Sequence, residues 1–193
     1  MDAVEEAEKQ SGNRAKNLNM VIAVTVAILA SFLGVCKVKD DNIVQSMQQM
    51  QANKLDHWAY YQARNIREEV ARATLVQLRL SAGSSAAEQK RYQPAIESYE
   101  KIATEQRQKK EELKAQAEQD QKDYDAANFR DDQFDMSDAL IAIAISMLAV
   151  TALTHQWWFY FLSLVPSALG IIMGIAGFAG WPIHPEALIR ILS

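Results

Sequence analysis

The sequence of 193 residues has few residues that interrupt helices and almost none that form covalent cross-links. It contains one cysteine, Cys36, so no disulfide can form within the chain. Its seven glycines and four prolines leave long uninterrupted stretches, since residues 40–80 contain neither and residues 95–138 contain neither. These two stretches therefore predict long helices rather than strands and turns.

Charge is also missing from parts of the chain. Residues 18–36, 139–154 and 157–181 contain no Asp, Glu, Lys or Arg, whereas most charged residues lie between them at 37–138. A hydrocarbon core of about 30 Å takes about 20 apolar residues of helix. The sequence thus predicts three membrane spans, with the lipid bilayer as a partner, and tryptophans at both ends of the third span are typical of interfacial belts.

Several classes of function lack the residues that they need. The charge is near balance and no basic block is present, which excludes a nucleic-acid partner. No nucleophile with its base and no phosphate-binding loop is present, so we predict no enzymatic activity and no cofactor. The three histidines, His57, His155 and His184, have no second ligand at metal spacing, which predicts no metal site. The absence of acidic and basic residues from the spans argues against a coupled transporter.

The predicted fold class is an all-α membrane protein with three transmembrane helices and a long antiparallel, coiled-coil-like helical hairpin between the first two. The hairpin has arms at about 38–80 and 94–138 and a Gly/Ser turn at 81–85, and Pro94 is expected in the first turn of the second arm. In chain order the predicted segments are a polar tail 1–17, a span 18–36, the hairpin 37–138, spans 139–155 and 156–181, and a C-terminal tail 182–193.

The two arms differ in their apolar content. The second arm is nearly polar all round, with Glu and Lys at four-residue steps that support a helix. The first arm has large apolar residues mostly three to five positions apart, which predicts a single apolar stripe with some drift. That predicted stripe consists of Ile43, Met47, Met50, Leu55, Trp58, Tyr61, Ile66, Val70, Leu75 and Leu78.

The segment Trp58-Ala59-Tyr60-Tyr61-Gln62-Ala63 resembles a pattern of the bacterial membrane family known as domain of unknown function 4337. The order of elements over roughly residues 5–180 is similar as well: an acidic tail, a span, this segment on a helix, a Glu/Lys-rich helix and two closely spaced spans. The chain departs from the family pattern at 154–156, where basic residues are expected. The resemblance implies a fold and a class of protein, and it implies no activity.

Three sets of residues are candidate sites, each with a structural alternative. Trp58, Tyr60, Tyr61 and Gln62 form either a partner or ligand contact or the packing between the two arms. The third span has Gly170, Gly174 and Gly177, which permit close helix packing, either with the second span or with another copy.

The third set lies before the second span. Asp131, Asp132, Asp135 and Asp138 form either an acidic pore mouth in an oligomer or the polar boundary of the membrane.

The sequence predicts a non-enzymatic structural or interaction protein of the bacterial inner membrane, which is a homo-oligomer or a subunit of a larger membrane complex and acts as a scaffold. An oligomeric cation-conducting pore is the alternative. The basic residues flanking the spans discriminate little between the two orientations, and we place the hairpin on the non-cytoplasmic side.

Overall fold

The computed structural model describes residues 2–183, and the side chains of residues 12–183. Over this range the chain forms three α-helices and no strand: α1 at Asp2–Ser81, α2 at Ala86–Thr154 and α3 at Trp157–Ala179. The all-helical prediction is therefore confirmed. Each helix contains a segment apolar enough to cross a membrane, which is consistent with a membrane protein of three spans.

Two element boundaries differ from the sequence-based expectation. Helix α1 begins at Asp2, so the predicted polar tail is helical from there. Helix α2 begins at Ala86, eight residues before Pro94, which lies inside the helix. Pro94 has no N–H group to donate to the backbone carbonyl one turn earlier, but it is exposed, so that carbonyl can bond to water instead. The alanines and the glutamate that precede Pro94 favour helix. Most of the predicted C-terminal tail, from His184 onwards, lies outside the described residues.

Two turns separate the helices. Gly83, with a φ of 55°, follows the end of α1 in a conformation that glycine adopts readily. His155, with a φ of 53°, takes the same left-handed conformation between α2 and α3. A side chain with a Cβ is uncommon there, and the short connection requires the chain to reverse at once.

The helices form two units, which are described separately. Among the described residues, the apolar unit combines residues 2–46 with residues 126–183, and the polar unit comprises Met47–Asp125. The core of the apolar unit contains residues of α1 and α2 that are nearly inaccessible, namely Leu18, Ile22, Leu29, Ile141, Ala144 and Leu148. Tyr160 of α3 packs against this core, and its hydroxyl lies 3.2 Å from Oγ1 of Thr25.

Glycines bring α3 close to the other two helices of the apolar unit. A Cβ at Gly170 would lie 2.7 Å from Cγ1 of Ile141, and one at Gly177 would lie 2.9 Å from the Phe134 ring. A Cβ at Gly174 would lie 2.7 Å from the Phe32 ring and 2.9 Å from Oγ of Ser137. The three glycines thus pack within the chain, against α1 and α2, where a side chain would clash.

Replacing Gly174 tests this close packing. We expect Gly174→Ala to destabilise the protein by about 1–3 kcal/mol, because the Phe32 ring has to move to admit the methyl group. The measurement is the thermal unfolding of the detergent-solubilised chain. Gly34→Ala is the matched control, since a Cβ at Gly34 meets nothing within 4 Å. Equal melting temperatures for the two variants would contradict the prediction.

The polar unit is an antiparallel pair of helical segments. Side chains of α1 meet those of α2 in reverse order along the chain. Arg79 bonds to Glu100 at 2.5 Å, Arg64 to Gln106 at 3.0 Å and His57 to Asp120 at 2.6 Å. Lys54 bonds to Gln121 in the same series. Polar contacts therefore fix which residues of the two segments face each other.

Glu68 is the most buried acidic residue of the polar unit, with 1% of its surface exposed. Its carboxylate pairs with Lys110 at 2.7 Å and with Arg72 at 2.5 Å. The hydrogen bond from Lys110 holds the pKa of Glu68 below its ordinary value, and the same bond raises the pKa of Lys110. Both groups are therefore charged at neutral pH, and each compensates for the burial of the other.

Removal of this carboxylate should weaken the polar unit. We expect Glu68→Gln to cost about 3 kcal/mol, because it leaves the half-buried ammonium group of Lys110 without its counter-charge. Loss of helical circular dichroism on heating the full chain measures the effect. The exposed neighbour Glu69 supplies the control, and Glu69→Gln should change the melting temperature little. Similar losses for both variants would show that the buried pair contributes no special stability.

The prediction of one apolar stripe on the first arm is confirmed only in part, since seven of its ten residues are buried or half-buried and three are exposed. In the polar unit, Met47 and Leu75 are buried, whereas Leu55, Ile66 and Val70 are between 59% and 64% exposed. The predicted stripe therefore mixes residues of two different faces of α1. The face that meets α2 contains Ala71 and Leu75 together with the charged Glu68, and the other large apolar residues lie outside that face.

Candidate functional site

The four residues of the aromatic segment divide between two environments. Trp58 and Tyr61 are half-buried and contact each other edge to face, with ring centroids 5.3 Å apart. The ammonium of Lys110 lies 6.0 Å from the centroid of the Tyr61 ring, at the limit of a cation–π contact. Tyr60 and Gln62 are exposed. One half of the segment thus packs between the two segments of the polar unit, and the other half faces solvent.

Two of the acidic residues before the second span, Asp131 and Asp135, lie close to Asp40 of α1, which is not among the residues predicted from the sequence. Asp40 of α1 is 4% exposed and accepts a hydrogen bond of 2.9 Å from Lys37 through Oδ2. Its second oxygen, Oδ1, is buried and accepts no hydrogen bond from the described residues, and the same is true of Oδ1 of Asp131 on α2. The two carboxyl groups lie within hydrogen-bonding reach of each other.

A carboxyl group that is withdrawn from water and lies close to a second carboxyl group is favoured in its protonated form. Burial raises the pKa of Asp131 to about 7, and the hydrogen bond and charge of Asp40 add to the effect. Burial and the charge of Asp40 also raise the pKa of Asp135, while Lys37 opposes that shift. Asp131 is therefore largely protonated below about pH 7, and Asp40 accepts the hydrogen bond from Lys37.

Other ionisable groups surround this carboxyl pair. On α2, the charge of Asp132 helps to raise the pKa of both Asp131 and Asp135, and the charge of Asp138 helps to raise the pKa of Asp135. Arg130 approaches the end of α3, where a Cβ at Gly180 would lie 3.4 Å from its guanidinium group. Helix α3 itself, Trp157–Ala179, contains no acidic or basic side chain. One lysine at the pair thus faces several carboxyl groups, which favours retention of the proton.

Gln133 and Ser137 complete the buried polar surface of α2 in this region. Nε2 of Gln133 donates to the carbonyl oxygens of Trp181 and Ile183, both at 2.8 Å, and fixes the chain that follows α3. Oγ of Ser137 is fully buried and lies beside Cys36 and Gly174. The carboxyl pair thus lies on a well-packed scaffold rather than at a loosely held surface.

The described side chains include no group of three or more His, Cys, Asp and Glu that could hold a metal ion. His57 bonds to Asp120, and His184 lies outside the described residues. Asp40 is the residue that sequence reasoning missed. A signal was present, since Asp40 and Asp41 follow the first span directly as Asp131 to Asp138 precede the second. Helices that cross a membrane together bring such boundary residues to the same level.

The raised pKa of Asp131 predicts that the stability of the protein depends on pH. The pKa of Asp131 in the folded protein lies above its ordinary value of 3.8, so the folded state binds more protons than the unfolded state between about pH 4 and pH 7. Stability should therefore fall as the pH rises through this range. We expect a loss on the order of 1–2 kcal/mol after allowance for solvent screening, measured as the melting temperature between pH 5 and pH 8.

Two variants separate this effect from general charge effects. Asp131→Asn retains a donor toward Asp40 without a titrating proton, so its melting temperature should vary less with pH and should exceed that of the unmodified protein at pH 8. Asp41→Asn removes a charge from the exposed neighbouring position and should retain the full pH dependence. A wild-type pH profile in Asp131→Asn would contradict the assignment of the proton.

The fold and its polar contacts define a class of protein: an all-helical chain with three helices capable of spanning a membrane and a large polar helical unit. Residues 18–180 match the model of the family described as domain of unknown function (DUF4337). The chain belongs to this family. No curated protein and no solved structure matches the chain.

Proposed function

We propose that this protein is a non-enzymatic membrane protein whose polar unit forms a helical hairpin that binds other membrane-anchored chains, either copies of itself or another complex. The observation that supports this proposal is the distribution of charge on α1. Lys54, Arg64 and Glu68 lie on the side that contacts α2. Leu55 and Ile66, by contrast, are exposed, at 64% and 63%.

This distribution departs in part from the usual one for two paired helices in water. Ala71, Leu75 and Ala103 form a small apolar cluster in the contact, but charged residues lie there as well and large apolar residues lie outside it. Apolar residues normally fill the contact, and charged residues face the solvent. A helix whose outer face is apolar gains free energy when another surface covers that face. The charged contacts with α2 determine the pairing of the two segments, and the outer face of α1 is left available for a partner.

A groove on the polar unit adds to this surface. It has a volume of about 260 Å³ and is lined mainly by apolar side chains, among them Ile66 and Val70 of α1 and Tyr99 and Ile102 of α2. The groove suits an apolar side chain of a partner helix better than a soluble ligand, because few polar groups converge on it.

The proposal extends to the location and orientation of the protein. We propose that the three apolar helices anchor the protein in the bacterial inner membrane and that the hairpin lies on the non-cytoplasmic side. A cation-conducting pore has less support. Its acidic mouth would need charged carboxylates, whereas burial raises the pKa of Asp131 to about 7 and so favours its uncharged form.

Photo-crosslinking in intact membranes tests the proposed function. A benzophenone amino acid in place of Ile66 in the full-length protein should yield a discrete protein adduct, because this side chain would lie against the partner. The same amino acid in place of Ala115, an exposed residue of α2, is the control and should yield none. Absence of any protein adduct from Ile66, with normal expression and membrane insertion, would contradict the proposal.

A further inference from the structure

The exposed face of α1 in the polar unit has a regular spacing. We define the outer stripe as a set of exposed, uncharged residues that follow one another at steps of three or four: Gln48, Ala52, Leu55, Ala59, Gln62, Ile66, Val70, Ala73, Gln77 and Leu80. This is the spacing by which one helix contacts another along its length. No charged residue interrupts the stripe over residues 48–80.

The outer stripe lies largely apart from the face that contacts α2, which it approaches only at Ile66 and Val70, where the two helices share a groove. The contacting face contains Lys54, Tyr61 and Glu68 at seven-residue intervals, and the outer stripe contains Ala59 and Ile66 at the same interval. The two series differ by five residues, or about 150° around a helix of 3.5 residues per turn. Helix α1 thus has a second, exposed face on the side of the helix roughly opposite to its contact with α2.

The composition of the outer stripe fits a helix better than a lipid surface. Helices that lie on membranes carry large apolar residues on one face and cationic residues beside it. The outer stripe instead alternates large residues such as Ile66 with alanines and glutamines, and acidic Asp56 and Glu69 lie on its two sides. Alanines permit close approach of two helix backbones, and glutamine amides can bond to each other across the contact.

Charge and area both favour a second copy of α1 as the occupant. When a stripe meets its own copy, any charge within it would meet a like charge, and this stripe has none. Residues 48–80 extend for about 50 Å. With a contact about 10 Å wide, each copy buries roughly 500 Å², so the pair reaches about 1,000 Å², the lower limit of specific interfaces.

We propose that two copies of the protein associate through their outer stripes, with the two α1 helices parallel and in register. The outer stripe follows the same apolar span in each copy, and copies inserted in one direction present their stripes in the same sense. Ala59 of one copy would then face Ala59 of the other, and Ile66 would face Ile66. This inference rests on the proposed function and identifies its partner.

Cysteine cross-linking of the full chain in membranes tests the arrangement. In a Cys36→Ser background, the variants Ala59→Cys and Ala73→Cys should each form disulfide-linked dimers on mild oxidation, because equivalent residues face each other in a parallel pair. Ala115→Cys makes the same substitution on the exposed surface of α2 and provides the matched control. We expect at least tenfold more dimer from the two stripe positions than from the control.

The outcomes separate this inference from the proposed function. Dimers at Ala59 and Ala73 that disappear when Ile66→Glu is added would support the parallel pair. Efficient linkage only between an Ala59→Cys chain and an Ala73→Cys chain would overturn the parallel register in favour of an antiparallel one. No dimer above the control, together with a protein adduct of another mass at Ile66, would overturn the second copy as partner but leave the proposed function intact. No linkage of either kind would overturn both.

Discussion

The ion pair between Glu68 and Lys110 determines which faces of the polar unit are covered. A carboxylate that is almost fully buried is very costly without a counter-charge, so Glu68 can enter the contact between α1 and α2 only where Lys110 meets it. That requirement fixes the rotation of α1 about its own axis. It also fixes the position of Ile66 two residues earlier, which lies at the edge of the contact with α2 and is mostly exposed to solvent. The exposed apolar face of α1 is thus a consequence of the buried charged one.

The apolar unit is held by a different constraint, the close approach of helix backbones. Gly174 admits the ring of Phe32, and Gly170 admits Ile141, at distances where any side chain would clash. Such packing is well suited to helices surrounded by lipid. Burial of apolar surface there gives little preference for one arrangement of helices over another, so the fit of their shapes has to determine the arrangement. The arrangement of helices is thus determined by different interactions in the two units. In the polar unit it depends on paired charges, and in the apolar unit it depends on steric fit.

The sequence was sufficient to predict the helices, because helix length and apolar content follow from residues that are neighbours along the chain. The absence of glycine and proline from residues 40–80 predicts a continuous helix there, and three uncharged stretches predict the apolar segments. The contacts between helices could not be predicted in the same way. The spacing of apolar residues on α1 fits either of two faces, and only the positions of charged partners on α2 decide between them. Asp40 and Asp131 are 91 residues apart, and nothing local to either residue indicates that their carboxyl groups lie close together.

Self-association through the outer stripe would be weak in dilute solution and more effective in a membrane. Burying a large apolar side chain completely contributes about 1.5–3 kcal/mol, and a contact between two helices buries each one only in part. Leu55, Ile66, Val70 and Leu80 are the four such residues in the stripe, so the gain from two copies is comparable with the cost of association, about 4–15 kcal/mol. Confinement to one bilayer lowers that cost, since both copies are already held in a thin layer and share an orientation. An anchor of three spans and a moderately apolar stripe are therefore complementary: the anchor supplies proximity, and the stripe needs only enough affinity to select the partner.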